Sequence, residues 1–375
     1  MYNSLKLSTF AVIIINCYII INDMAYEEKS IVKKTRIEYI DAMRGFTMIL
    51  VVVCHVSGFC LGIESDIPSI HPFLYEFRMP TFFFISGFVL YKTEQIWNYR
   101  NVCLFLKKKF PVQIITTAIF FLIFIHINNI SIKEGIFSES KLGYWFTYNL
   151  FIFFIVYSIS RFFLYLFKCN EAITDLSIIF IGILFYLLFS VRSIYYDLPI
   201  NTDIKNLLSL QHWGFFLFFT IGTLFKKHYQ KILLLIDQRT IIFISIIIYF
   251  GANLFYKELT TYHINLLNIS TALSGIILVF SFFYIHQFYF TKDKLVGRIL
   301  QLIGRRTLDI YLLHYLIIPV NLIAFSSIFH AHPMPLIEFL VSLIISLFVI
   351  GACLVISTII RLSHYSSYLC FGVKK

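Results

Sequence analysis

Charge is what this sequence has least of. Asp, Glu, Lys and Arg together make 14% of its 375 residues, while 59% are hydrophobic. The mean hydropathy is +0.82. A soluble core has no use for that much apolar surface. The seven cysteines, Cys17, Cys54, Cys60, Cys103, Cys169, Cys353 and Cys370, contain no Cys-x-x-Cys pair. That excludes the usual spacings of metal and redox sites, and no metal is expected. Internal repeats, long linkers and low-complexity segments are also lacking, so nothing divides the chain into a string of domains. The net charge is +11, yet no basic patch with interleaved aromatics stands outside the apolar runs. Nucleic acid is therefore not an expected partner.

What is there is a series of apolar runs that approach or exceed the length of a bilayer crossing. They are continuous rather than alternating, which excludes a β-barrel. The fold class is an all-α membrane protein, a bundle of about ten transmembrane helices with the lipid bilayer as partner. The expected spans are 43–63, 72–92, 112–130, 144–166, 175–190, 207–225, 240–256, 264–289, 301–325 and 336–360. They belong to one domain, 24–375. Residues 1–23 form a separate apolar extension with a run from Phe10 to Ile21. It reads as a signal-like segment, an extra anchor, or a stretch upstream of a true start at Met24. Asp41 is placed to cap the first core helix. Pro80 is expected to kink or break the second. Trp145 and Trp213 lie near span ends, where aromatic belts form.

Basic residues set the orientation. Segments on the side of residues 24–44 carry 24 Lys and Arg, and the opposite loops carry 5. Both ends of the core are thus expected on the cytoplasmic side.

The organising stretch is Tyr39 to Val56. Arg44 stands at its mouth and His55 eleven residues further in, about 16 Å along an α-helix and roughly half-way through the hydrocarbon. Arg44 alone reads equally well as a topology anchor. An ionisable group inside a span is rarer and usually faces a cavity or a partner, which favours a functional His55. Arg78 enters from the other side, to within about 5 Å of the same depth. It needs a buried partner, such as Glu76, or an aqueous cavity. His314 lies about 12 Å in from Arg306 and either lines the same cavity or bonds a neighbouring helix. Asp309, five residues before it, falls about 140° away round the helix. His212 enters from outside, about 8 Å deep. The triplet Lys107, Lys108 and Lys109 is a topology signal that, beside Arg44, could also hold a multiply charged anion such as a nucleotide phosphate.

Taken together, these residues resemble the acyltransferase 3 family of integral-membrane acyltransferases. Arg44 and His55 match its Arg-x10-His motif. Pro80 through Phe88, with Ser86, resembles its second-helix signature, and Lys107 through Pro111 its basic cluster. Gly304 through His314 resembles its ninth-helix pattern. The resemblance covers residues 37–365. Lysines stand where the family's cluster has arginines, which weakens bidentate phosphate binding there. The resemblance implies transfer of an acyl group, usually acetyl, from cytoplasmic acyl-CoA to a hydroxyl of a cell-envelope polysaccharide or its lipid-linked precursor, in a bacterial inner membrane. His55 would be the general base, Arg44 and Lys107–Lys109 would bind donor phosphates, and Arg78 would stabilise an oxyanion or position a sugar. Ser86, His212, Asp309 and His314 would face the cavity. A covalent acyl-histidine route stays open. The competing class is an exporter of polysaccharide or lipid-linked glycan, since transporters also use mid-depth His and Arg. Exporters, however, often carry inverted repeats and paired broken helices. A weaker third reading is a scaffold in an envelope-synthesis complex.

Overall fold

Every regular element among the described residues is helical. The computed structural model describes residues 36–63, 69–93, 95–236, 238–255 and 261–372. The expected 1–23 extension and the loop tip at 64–68 lie outside them, and residues from Glu38 onward pack as one unit.

Helix α1, Glu38–Leu61, starts before the expected Asp41 cap. Glu38 and Asp41 both sit in its first turn, where a carboxylate still meets the positive end of the helix dipole. Helix α2, His71–Leu90, runs unbroken through Pro80 and gives up only the bond that a proline nitrogen cannot donate to the Glu76 carbonyl.

The basic triplet, expected in a loop, instead forms the last turn of α3, Tyr99–Phe110. The Asn98 side chain caps α3 by accepting from the Asn101 N–H at 2.9 Å. The chain then widens into a π turn at Pro111–Ile115 and continues as α4, Thr116–Ile127. Pro111 has no N–H for an α-helical bond, and the wider turn shifts the carbonyl its ring would strike. The three pieces make one apolar span, Tyr99–Ile127.

The chain continues with α5 (Ile132–Phe137), a 3₁₀ turn at Lys141–Gly143, α6 (Trp145–Leu166) and α7 (Glu171–Ser190). Two short helices follow, α8 (Arg192–Asp197) and α9 (Thr202–Leu207), and then α10 (Phe216–Lys227), α11 (Tyr229–Ile236), α12 (Arg239–Phe255) and α13 (Thr261–Ile285). The last elements are α14 (Leu295–Arg305), α15 (Thr307–Ile317), α16 (Ser326–Ala331), α17 (Pro335–Ile360) and α18 (His364–Phe371).

Among the described residues seven helices are long and apolar enough to cross a membrane: α1, α2, the joined α3–α4, α6, α7, α13 and α17. The pair α11–α12, bent by 75°, is an eighth candidate. The region expected as a span at 207–225 is a 3₁₀ turn, Leu210–Phe215, running into the 12-residue α10. The region expected at 301–325 turns at Arg306, and its apolar part, α15, has 11 residues. Pro319 ends α15, because a residue before proline is steered out of helical geometry. Outward side chains are apolar, with Leu176 67% and Phe348 76% exposed. In an all-helical chain that pattern is the lipid-facing surface of a multi-pass membrane protein.

Two backbone crossings lock the bundle. A Cβ on Gly45 of α1 would fall 2.0 Å from the Leu300 carbonyl oxygen, and one on Gly304 would fall 1.9 Å from that of Asp41. Gly87 of α2 and Gly222 of α10 meet in the same way, against Phe219 and Phe84. Small residues let the helix axes approach and exchange dispersion and Cα–H contacts. A buried carboxylate adds a polar tie: Glu338 of α17 accepts from Ser57 Oγ at 2.5 Å and Ser69 Oγ at 2.8 Å.

Candidate active site

The helical stripe of α1 that faces inward consists of Arg44, Met48, Val51, His55 and Phe59. Eleven residues are three turns and about 20°, so Arg44 and His55 share one face. That stripe forms one wall of a cavity of about 920 Å³. The opposite wall comes from α2, with Tyr75, Arg78, Met79, Phe82 and Ser86. The π turn contributes Val112 and Gln113, α15 contributes Tyr311 and Tyr315, and α6 contributes Trp145 through Thr147. At one end stand Arg44, Lys109 and Arg305, and at the other Tyr75, Ser140 and Gly143. Four cations line this space, Arg44, Arg78, Lys109 and Arg305, and among the described residues no carboxylate does.

Arg78 is 4% exposed, and its Nε and Nη1 have no hydrogen-bond partner among the described residues. Its guanidinium carbon lies 4.1 Å from the centre of the Tyr75 ring. The ion pair with Glu76 that the sequence allowed is not formed, because side chains two apart on a helix point to different faces. A buried guanidinium with idle donors in a cavity wall is a ready site for negative charge.

His55 Nε2 lies 3.0 Å from the Tyr315 hydroxyl. Its ring is 5.3 Å, centroid to centroid, from that of His314. The His314 Nδ1–H donates to the Ile310 carbonyl at 3.0 Å, one turn back on its own helix. Its Nε2 has no partner among the described residues. His314 therefore packs behind the His55–Tyr315 pair, not in the cavity wall itself.

The other expected site residues are divided. Ser86 lines the cavity, and its hydroxyl donates to the Phe82 carbonyl at 2.8 Å. His212 also lines it and stacks on Trp145 with centroids 3.7 Å apart. Trp145 stands at the start of the span Trp145–Leu166, with its ring in the cavity wall. Trp213 stays outside the cavity wall, its indole N–H donating to the Leu208 carbonyl at 3.0 Å. Of the lysine triplet only Lys109 reaches the cavity, while Lys107 and Lys108 are exposed. Asp309 faces away from it. Its carboxylate accepts from Arg361 at 2.6 and 2.9 Å and from Arg306 at 3.0 Å, joining α15 to the end of α17. Asp309, expected to face the cavity, is instead a structural clamp in this fold.

Tyr315, Tyr311, Gln113, Gly143 and Arg305 went unassigned from sequence. Tyr315 follows His314 directly, and Arg305 is the second residue of the pattern that ends there, so their only signal is adjacency. Among the described residues no three His, Cys, Asp or Glu side chains cluster as metal ligands would.

The arrangement offers anion-binding groups at one end, an imidazole hydrogen-bonded to a phenol in the middle, and a buried guanidinium beside them. Residues 37–358 match the family model described as an acyltransferase domain, that of the acyltransferase 3 family. No curated protein and no solved structure gives a significant match. The family match takes in α1 through nearly all of α17, and with it every residue of the cavity, so the chain belongs to the acyltransferase 3 family.

Proposed function

We propose that this membrane acyltransferase moves an acetyl or other short acyl group from acyl-CoA to a hydroxyl of a cell-envelope polysaccharide or its lipid-linked precursor. It works in a bacterial inner membrane with both core termini cytoplasmic, and α10, α12 and the α14–α15 pair complete ten spans. The observation that carries this reading is a cavity that Arg44, Lys109, Arg305, His55 and Arg78 all line and, among the described residues, no carboxylate does. Donor phosphates suit the cationic end. The thioester arm extends along the stripe from Arg44 to His55, about 16 Å. The acceptor hydroxyl enters from the Tyr75 end.

The chemistry is general-base catalysis. As the acceptor oxygen bonds to the thioester carbonyl carbon, its proton passes to the His55 side. The carbonyl oxygen gains negative charge, which the idle donors of Arg78 can bind. The C–S bond then breaks and the thiolate takes the proton back. A neutral imidazole suits this work near pH 7.

The test is transfer of labelled acetyl from acetyl-CoA to envelope glycan in membranes carrying the protein. His55→Ala should lower kcat by about 10²- to 10⁴-fold. Full activity in that variant would remove the base assignment. Failure of the wild type to consume acetyl-CoA, with glycan still crossing the membrane, would favour the exporter reading.

A further inference from the structure

Tyr315 stands between the two histidines. Its hydroxyl is 3.0 Å from His55 Nε2. Its ring centroid is 5.0 Å from that of His55 and 4.0 Å from that of His314. The phenol also lines the cavity. It therefore touches both the proposed base and the space a substrate would fill, and it brings a hydroxyl to both.

Backbone on the far side fixes where that hydroxyl sits. Gly143 has φ +97°, and a Cβ there would fall 2.2 Å from Tyr315 Cζ and 2.4 Å from its hydroxyl oxygen. Glycine is needed twice over, for the positive φ and for the room. The Gly143 segment is in turn fastened to α15. The Tyr311 hydroxyl donates to the Gly143 carbonyl at 2.8 Å and accepts from the Phe146 N–H at 3.1 Å. The Tyr144 hydroxyl donates to the Leu312 carbonyl at 3.2 Å. Three hydrogen bonds thus hold a glycine against the phenol of Tyr315 and press it toward His55.

The geometry points to Tyr315 as a proton relay between the acceptor hydroxyl and His55, an inference that rests on the acyltransfer reading above. The Tyr315 O–H donates to Nε2 of the neutral imidazole. As the acceptor oxygen forms its bond to the thioester carbon, its proton moves to the Tyr315 oxygen, and the Tyr315 proton moves to Nε2. When the C–S bond breaks, the sulfur keeps the electron pair and draws a proton from Tyr315, which is replenished from the imidazolium. The products are the ester and free CoA thiol, and both side chains end as they began.

Tyr315→Phe tests this, because it keeps the ring that fills the space beside Gly143 and removes only the hydroxyl. With acetyl-CoA and deacylated envelope glycan as substrates, kcat should fall about 100-fold. Both KM values should stay within about twofold, as expected when only transition-state stabilisation is lost. Gly143→Ala, which displaces the phenol, should lower kcat in the same way. Wild-type rates in mixed H₂O and D₂O should curve with deuterium fraction, because two protons move together. A Tyr315→Phe enzyme with near-wild-type kcat, or a loss that falls on KM alone, overturns the relay. Should that variant fail to accumulate, a straight wild-type isotope plot overturns it instead. A wild type that loses activity on His55→Ala but not on Tyr315→Phe sinks the relay alone. A wild type that releases no CoA sinks the acyltransfer reading with it.

Discussion

Gly45 and Gly304 meet backbone to backbone where α1 crosses α14. This crossing sets the distance between Arg44 and Arg305, which are their immediate neighbours in sequence and share one end of the cavity. A methyl group on Gly45 would strike the Leu300 carbonyl, a backbone atom that cannot swing aside. Gly45→Ala should therefore destabilise the fold by about 1–3 kcal/mol. Gly58, on the same helix, has nothing within 4 Å of where its Cβ would be. Gly58→Ala should leave Tm unchanged or raise it, since alanine is the better helix former. Melting curves of the two variants side by side check the crossing, and equal losses would refute it.

The cationic end makes a second, separable prediction. Arg44, Lys109 and Arg305 come from α1, α3 and α14 and converge on the cavity, while Lys107 and Lys108 point outward. Charge-assisted bonds to phosphate are each worth about 1.5–3 kcal/mol, so losing one should raise the donor KM roughly 10- to 100-fold. Arg44→Ala, Lys109→Ala and Arg305→Ala should all do so with acetyl-CoA. Lys107→Ala and Lys108→Ala should change it less than about twofold, because exposed charges are screened. A larger effect at 107 or 108 than at 109 would place the phosphates outside the cavity.

How far the site could be read from the chain follows from what kind of signal each residue leaves. Arg44 and His55 are legible because both lie on one helix, and eleven residues return to the same face. Arg78 is legible because a guanidinium inside an apolar run is conspicuous. The membrane class is legible from composition alone. Tyr315 is not, because a tyrosine in a chain with 24 of them carries no mark. Its place beside His55 depends on Gly143, 172 positions away, through a contact that only tertiary folding makes. The continuity of α3 with α4 is hidden for another reason. Three lysines and a proline read as a loop, and only the π turn at Pro111–Ile115 lets the helix pass through. The turns inside 207–225 and 301–325 are hidden in the same way, since both runs read as continuous apolar stretches while the chain breaks at Leu210–Phe215 and at Arg306.

Asp309 separates a clamp from a cavity residue. Its side chain is 1% exposed, and its partners Arg306 and Arg361 are 28% and 17% exposed. Asp309→Asn would leave two guanidinium groups beside an amide that cannot neutralise them. Removing one member of a buried pair costs about 3–5 kcal/mol, and solvent at the arginines puts this case at the low end, about 3. Tm should fall while the acceptor KM of the protein that remains folded stays unchanged. An unchanged Tm with a raised acceptor KM would return Asp309 to the substrate.

Lys141 gives the fold a pH dependence of its own. It begins the turn that carries Gly143, and its amine donates to the carbonyls of Ile136, Ser138 and Asn206. Burial pushes that amine down from 10.5 to about 8. Below pH 8 it is charged in both the folded and the unfolded chain, and the folded state bears the whole penalty of burying the charge. Between 8 and 10.5 the unfolded chain binds the proton and the folded one does not, so stability gains with rising pH across that window. Lys141→Met has nothing to titrate there. The Tm of the wild type, measured relative to that variant, should therefore climb from about pH 8 to about pH 10. A difference that falls over the same range would mean that three carbonyls hold the ammonium more strongly than burial opposes it, and that the turn over Tyr315 is fastened by a charge.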